Sequence, residues 1–561
     1  MMICAMATLD TGLFVYPSLS RSLLMECGLL GLTLTAFIHS LFHDTKLDIG
    51  KLHLFIIIWI VYLIIHGWLS PVMEVYRTVY LIVTLFSIIP LSYCLRTGLL
   101  TKMGIRIGLL LIAAAHIVYV LAQWFGLMNS GNTLYPLTGC CDNPTMAALY
   151  LAGSLPLYHF IGRRFLRWTF LGLALLCLVL LRCRTAYMGV CVEVMVLIWV
   201  NMRARAFILR HKWAVMSCLA VLVGVSSIKS YHMKRDSADG RILIWQLSAI
   251  MTAEHPMGQG YGLFAKHYNE RQAEYFATNG GTDTERRNAT FTYMAYNDYL
   301  EHGVDGGIIG AVFLGGFYAL FIRRATRQSD NISVAMLSAF AIMSLTNFVC
   351  TTIQPWLMVM CIAAVILSKT DTSRPPRRNI SLALILAQIA LTSSLVIIVC
   401  HMTSSQMHLK HIVNKMNANE VVNDTEFTSM EDKIYSSEAF WKLRASNQMH
   451  CMEYQKAMQS IGHAIQLTAA PPLYYMMHQC SVAQGKEEYG IPYIRKVYYT
   501  CPSLLLPKLI LMRYYDRLGN TIAATDYAKE IIHTNIKVNN ENTLAIVNEA
   551  ENYLDNNIEV K

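Results

Sequence analysis

Charge is the scarcest property of this chain. Asp, Glu, Lys and Arg make up only 15% of its 561 residues, against about 25% in an ordinary soluble protein. Apolar residues reach 55%. A soluble enzyme, a fibrous protein and a disordered chain are all excluded. Paired cysteines are missing too. Fifteen cysteines are present, but no two stand in C-x-x-C spacing, and most lie inside apolar runs, where Cys packs as a small hydrophobe. Neither a disulfide framework nor a metal site is expected, and no cofactor is implied. The first twenty residues have no charged region followed by a cleavage site, so a signal peptide is not expected.

The apolar residues are unevenly placed. Nearly all lie before residue 403, and the last 158 residues have the composition of a water-soluble domain. From residue 404 onward there are 15 Lys and Arg against 17 Asp and Glu, whereas residues 1–403 hold 31 against 19. The basic excess thus belongs to the apolar part. There it sets topology or meets anionic membrane lipid, and it does not indicate nucleic acid.

Crossing a bilayer takes about 20 mostly apolar residues as a helix. Twelve such stretches are expected, near 22–42, 52–70, 76–95, 106–127, 144–162, 168–182, 185–201, 213–229, 297–322, 332–350, 352–368 and 379–402. The fold class is all-α: a polytopic transmembrane bundle of about 12 helices followed by a soluble helical-repeat domain. One set of alternating loops carries 19 Lys and Arg, from Lys46 and Lys51 to Arg377 and Arg378. The short loops of the other face carry Arg77, Arg182, Arg184 and little else. By the positive-inside rule the first set is cytoplasmic. The loop 230–296 and the C-terminal part then lie outside, which is the periplasm of a bacterium with two membranes.

Two features of the outer face bear on chemistry. The run Pro256-Met257-Gly258-Gln259-Gly260-Tyr261-Gly262 has the glycine spacing of a phosphate cradle. It lacks the preceding strand and the following helix of a dinucleotide site, so a glycine-rich packed turn is the favoured reading. The arginines are more informative. Arg at a helix centre costs roughly 2.5–3.5 kcal/mol on insertion scales, and such residues are usually paired or functional. Arg184 opens an apolar run after Leu181-Arg182-Cys183, and Arg241 follows Gly240 before Ile242-Leu243-Ile244-Trp245. A guanidinium grips phosphate bidentately, as lysine does not. Two such groups near the headgroups suit a pyrophosphate. Interfacial snorkelling is the plainer reading for each alone.

Four stretches together resemble the O-antigen ligase and polymerase superfamily of bacterial membrane glycosyltransferases, which includes the bacterial O-oligosaccharyltransferases. Asp142-Asn143-Pro144-Thr145 to Leu151 is similar to the family's N-P-N helix entry. Arg184-Thr185-Ala186-Tyr187-Met188-Gly189 resembles its S-R-x-A-W-x-G. Gly240-Arg241 to Trp245, followed by Pro256 to Phe264, resembles G-R-x-x-x-W and P-x-G-x-G-x-G-x-F. Asn297-Asp298-Tyr299-Leu300, with Asp305, Gly307 and Gly310, resembles H-N-x-Y-L…E-x-G-x-x-G. The likeness covers residues 20–400.

The resemblance implies transfer of a glycan from an undecaprenyl-pyrophosphate carrier to a hydroxyl acceptor at the periplasmic face of the inner membrane. Arg184 and Arg241 would hold the pyrophosphate. Tyr296 stands where the family usually has the His assigned to activating the acceptor. Tyrosine, with a pKa near 10, is a poor base at neutral pH. Tyr296 and Asn297 are therefore expected to orient the acceptor, with His302, Glu301, Asp298 and Asp305 nearby. Three acceptors stay open: a lipid A core sugar (ligase), another lipid-linked repeat (polymerase) or a protein hydroxyl (oligosaccharyltransferase). Ligase ranks first. A transporter or a membrane sensor is the non-enzyme alternative, but a transporter usually pairs broken helices and internal repeats, and no paired halves are visible.

After a linker at 404–429, residues 430–561 have a helical pattern with a period. Gly485 and Gly519 are 34 residues apart, as are Tyr493 and Tyr527. A 34-residue helical hairpin resembles tetratricopeptide repeats, which present a protein-binding face. The expected domains are thus 1–403, with the loop 230–296, and a periplasmic 430–561 with a protein partner.

Overall fold

The computed structural model describes residues 2–8, 11–42, 50–70, 72, 74–200, 210, 235–278, 280–369, 382–418, 420, 422–536 and 540–558. Among them every regular element is a helix. In chain order the principal ones are α1 (Pro17–Phe42), α2 (Lys51–Leu69), α3 (Val75–Thr97), α4 (Lys102–Trp124), α5 (Pro144–Ser154), α6 (Arg164–Leu181), α7 (Arg184–Val200), α8 (Arg235–Glu254), α9 (Phe264–Thr278) and α10 (Asp283–Asn288). There follow α11 (Asp298–Arg327), α12 (Asn331–Met343), α13 (Ile353–Ser368), α14 (Leu382–Asn417), α15 (Glu438–His450), α16 (Tyr454–Leu467), α17 (Pro471–Ala483), α18 (Ile491–Thr500), α19 (Leu505–Arg517), α20 (Thr521–His533) and α21 (Glu541–Ile558).

Among the described residues, seven helices are long and apolar enough to cross a membrane: α1 to α4, α6, α11 and α14. The chain is a multi-pass helical membrane protein. Some of the twelve expected crossings are shorter. The stretch 144–162 breaks into α5 and a 3-10 turn, Leu155–Phe160, since Pro156 has no N–H to continue an α-helix. The stretch 332–350 stops at Met343. The expected crossing 213–229 lies outside the described residues. The segment read as a linker is helical as far as Asn417, as the end of α14.

The chain forms two compact units, and neither is continuous in sequence. The first comprises 1–228, 256–261 and 296–421, and the second 229–255, 262–295 and 422–561. In the first, Trp59, Phe317, Phe321, Phe340 and Trp356 are fully enclosed in one apolar core. Their large rings bury the most surface per residue. Trp356 donates its indole N–H to Thr84 Oγ1 at 3.1 Å, which satisfies the one polar atom it carries into that core.

In the second unit the loop helix α9 packs with the C-terminal helices, whereas the sequence predicts loop and tail as separate domains. The buried Gln272 of α9 donates to the Thr500 carbonyl of α18 at 2.6 Å and accepts from the Tyr268 hydroxyl at 2.8 Å. Beyond Val422 the chain makes successive helical hairpins. Their turns lie at Met452, Gly485 and Gly519, all with positive φ. The last two share one build: Lys486 N–H donates to Ser481 O and Asn520 N–H to Tyr515 O, each at 2.9 Å. These are the glycine-closed helix ends that the left-handed region permits at least cost. Gly485 and Gly519, 34 residues apart, thus each close a helix, α17 and α19.

Candidate functional site

The site in the first unit is built around the start of α11. Asn297 caps that helix, its side-chain oxygen accepting from Tyr299 N–H at 3.0 Å and Leu300 N–H at 3.1 Å. Asn is among the strongest N-cap residues because its short side chain reaches the unpaired amides. Asp298 and Glu301 follow in the first turn, where the helix dipole favours negative charge. Tyr296, just before the cap, has φ 52°, an uncommon conformation for a residue with a Cβ.

The segment after α12, residues 344–352, meets this helix start. Asp298 Oδ2 accepts from Val349 N–H at 2.8 Å and Cys350 N–H at 3.1 Å. Asp298 N–H donates to Ser344 O at 2.8 Å. The Tyr296 ring lies edge-on to Phe348, with centroids 5.7 Å apart. From α7, Thr185 shares a hydrogen bond with Thr346 at 3.2 Å and accepts from Asn347 Nδ2 at 3.3 Å. Arg184, the first residue of α7 and half-buried, therefore stands one residue from the same segment. From α3, Arg77 donates to Cys350 O at 3.2 Å, and its other terminal nitrogen lies 3.9 Å from a Glu301 oxygen. Arg184, Tyr296 and Asn297 are thus brought together around one turn, with Arg77 and Glu301 beside them.

Glu74, the N-cap of α3, accepts from Arg77 N–H. Burial pushes its carboxyl up to about 7, against the opposing pull of Arg77. A carboxylate with a pKa near the working pH is suited to taking a proton. Sequence reasoning missed Glu74. The clue was its place in the basic-poor loop that also holds Arg77. Nothing in the sequence pairs Arg77 with Glu301, which lies on another helix.

His302 has different surroundings. It is 3% exposed, its ring lies between Trp59 and Tyr261 at centroid distances of 6.1 and 5.5 Å, and Nδ1 is 3.4 Å from the Tyr261 hydroxyl. That is the environment of a packed core residue. On their shared helix Asp298 faces the 344–352 segment, while His302 faces α2.

The glycine run 256–261 is a packed turn. It docks on a kink in α11 at Gly306 and Gly307, where the backbone leaves helical geometry. Gln259 N–H donates to Val304 O and Gly260 N–H to Asp305 O, both at 2.9 Å. Ile308 N–H donates to Pro256 O at 3.0 Å. Tyr62 donates to Gly306 O, and His66 Nε2 lies 2.9 Å from Met257 O. Two amides of the run, those of Gln259 and Gly260, are spent on the kink and are not left for a phosphate.

Arg241 belongs to the second unit. It lies on α8, half-buried, one turn before Trp245, whose indole donates to Ala295 O at 3.0 Å. A Cβ at Gly240 would make only an ordinary contact with α10, 3.7 Å from Asn288 O. Among the described residues no group of His, Cys, Asp and Glu is arranged to hold a metal ion, and the described cysteines are free thiols.

Residues 169–315 match the family model described as O-antigen ligase. The matched stretch contains Arg184, Arg241, Tyr296, Asn297 and His302. The likeness to the O-antigen ligase superfamily, drawn above from short motifs, stands on this match, and it supports a role in glycan transfer at a membrane. No curated protein matches the chain.

Proposed function

We propose that this protein is an O-antigen ligase-like glycosyltransferase of the bacterial inner membrane, working at the periplasmic face on a polyprenyl-pyrophosphate-linked glycan. The observation that carries this reading is that one matched stretch, 169–315, contains both the arginines and the Tyr296–Asn297 helix entry. The acceptor hydroxyl oxygen attacks the anomeric carbon of the donor. The bond from that carbon to the pyrophosphate oxygen breaks, and the electron pair leaves with the pyrophosphate. Arg184 and Arg241 bind the departing charge, since a guanidinium fork matches phosphate oxygens. Tyr296 orients the acceptor, and Asn297 fixes the helix that carries it. Glu74, its carboxyl raised by burial beside Arg77, is the group suited to receive the acceptor proton. His302 acts from the core as a positioning residue.

The acceptor is a lipid A core sugar in the first reading. A protein acceptor is the second, and the hairpins α17 to α20 favour it, since stacked hairpins of tetratricopeptide type bind extended protein segments. A deletion strain, with lipopolysaccharide and glycoproteins profiled separately, tests both. Loss of glycan-capped lipopolysaccharide supports the ligase, and loss of glycoprotein alone supports the protein transferase. Unchanged profiles in both would overturn the glycosyltransferase reading.

A further inference from the structure

A cavity of about 270 Å³ lies within the second unit, between α9 and the helices α17 and α18. It is lined by Glu270, Ala273, Glu274, Ala277, Tyr474, Lys496, Tyr499 and Thr500. None of these residues belongs to the machinery described above. Its size is near the roughly 300 Å³ lower end for small-molecule sites, which suits one or two ring-sized units. Aromatic side chains form one wall: Tyr474 stacks on Tyr493 at 6.0 Å between centroids, and Tyr499 packs edge-on to Tyr498 at 4.9 Å. Polar groups stand at the rim. Lys496 Nζ lies 5.9 Å from the Tyr474 ring centre, and the carboxylates of Glu270 and Glu274 belong to α9.

Tyr474 supplies a second, independent observation. It is 1% exposed, and its hydroxyl is buried with no hydrogen-bond partner. The Glu270 carboxylate is close enough to act on it electrostatically. A buried phenol that donates to nothing is costly, and the adjoining cavity is where a partner can enter. The site is built rather than incidental, because the backbone beneath it is fixed by Gln272 donating to Thr500 O.

We infer that this cavity binds a neutral pyranose ring of a glycan. Flat aromatic walls pack against the C–H faces of a sugar, while carboxylates, an ammonium and a phenol bond to its hydroxyls. Glu274 is paired with Arg271 at 2.8 Å, which leaves one carboxylate, Glu270, and one ammonium, Lys496, on the lining, a balance that suits a neutral ligand. The inference takes its ligand class from the glycan-transfer reading. It gives the second unit a task of its own: holding a sugar of the donor or acceptor chain.

The test is saturation-transfer NMR on the full chain in nanodiscs, with galactose, N-acetylglucosamine and chitotriose as probes. The expected result is transfer to sugar ring protons, with affinity about tenfold weaker in Glu270→Gln and in Tyr499→Ala. Tyr474→Phe removes only the unpartnered hydroxyl. It should leave the unfolding temperature unchanged or higher while weakening the sugar several-fold, and a purely structural Tyr474 would leave sugar affinity alone. Arg241→Lys should keep sugar binding while losing transfer. No signal from any of the three sugars, or a signal that all three cavity variants leave intact, overturns the inference. So does binding of a trilysine peptide, lost in Glu270→Gln, with no sugar signal. Sugar binding in a protein shown not to transfer glycans would overturn the proposed function and leave this site standing; transfer without sugar binding here would do the reverse.

Discussion

Gly258 and Gly307 pack backbone against backbone. A Cβ added to Gly258 would lie 2.4 Å from Gly307 N and from Asp305 O, and one added to Gly307 would lie 2.2 Å from Pro256 O. Both residues have positive φ, 86° and 64°. This contact pins the turn 256–261 to the kink of α11, more than two turns beyond the Asn297 cap.

Gly258→Ala is therefore expected to misplace the start of α11. Overpacking alone costs about 1–3 kcal/mol, and the unfavourable φ adds to it. Detergent-solubilised variant should unfold several degrees below wild type and lose transfer. Gly31→Ala, where a Cβ meets nothing within 4 Å, is the control. Equal unfolding temperatures for Gly258→Ala and wild type would show that the close approach has no energetic weight.

Asn297→Ala should cost about 0.5–2 kcal/mol through loss of the cap, read as a lower unfolding temperature. Asn297→Asp keeps an oxygen for the amides of Tyr299 and Leu300 and should recover most of that stability. If Asn297→Asp recovers stability but not transfer, Asn297 also touches substrate.

The arginines are tested by charge-conserving change. Arg184→Lys and Arg241→Lys keep the charge and lose the fork. Each should lower transfer at least about tenfold, the equivalent of about 1.4 kcal/mol, with normal membrane insertion. Wild-type transfer by both variants would remove the pyrophosphate role.

The raised pKa of Glu74 has a definite sign. A carboxyl pushed up to about 7 is mostly protonated, and unable to act as a base, below pH 7. Transfer should fall about tenfold per unit as pH drops below 7 and level off above it. Glu74→Gln should lower transfer and flatten that slope. A wild-type rate independent of pH between 5 and 8 would exclude Glu74 as the base.

Topology is open to a direct measurement. Alkaline phosphatase fused after Lys561 should be active, since that enzyme works only when exported. An inactive fusion, with a cytoplasmic reporter active at the same position, would reverse the orientation on which the periplasmic reading rests.

The sequence alone determined the features that depend on near neighbours or on composition. Scarce charge and long apolar runs required membrane helices, because an unpaired backbone amide in hydrocarbon is too costly for any open structure. The period joining Gly485 to Gly519 was legible because each glycine closes its own helix, and Asn297 reads as a cap because it bonds to amides two and three residues ahead. Arg184 and Arg241 were singled out because an arginine amid apolar residues is expensive wherever the chain goes. Tertiary structure alone decided what meets what. Arg77 finds Glu301 across 224 positions. The glycine run became a wedge for the kink at Gly306 and Gly307, although its spacing also fits a phosphate cradle. His302, which shares a helix with Asp298, turned into the core beside Trp59. The loop helix α9 packed with α18 through Gln272 and Thr500, joining segments that composition had assigned to different domains. These pairings rest on shape and on satisfying buried polar atoms across long separations, and a local pattern of residue types holds no record of which distant surface will supply the partner.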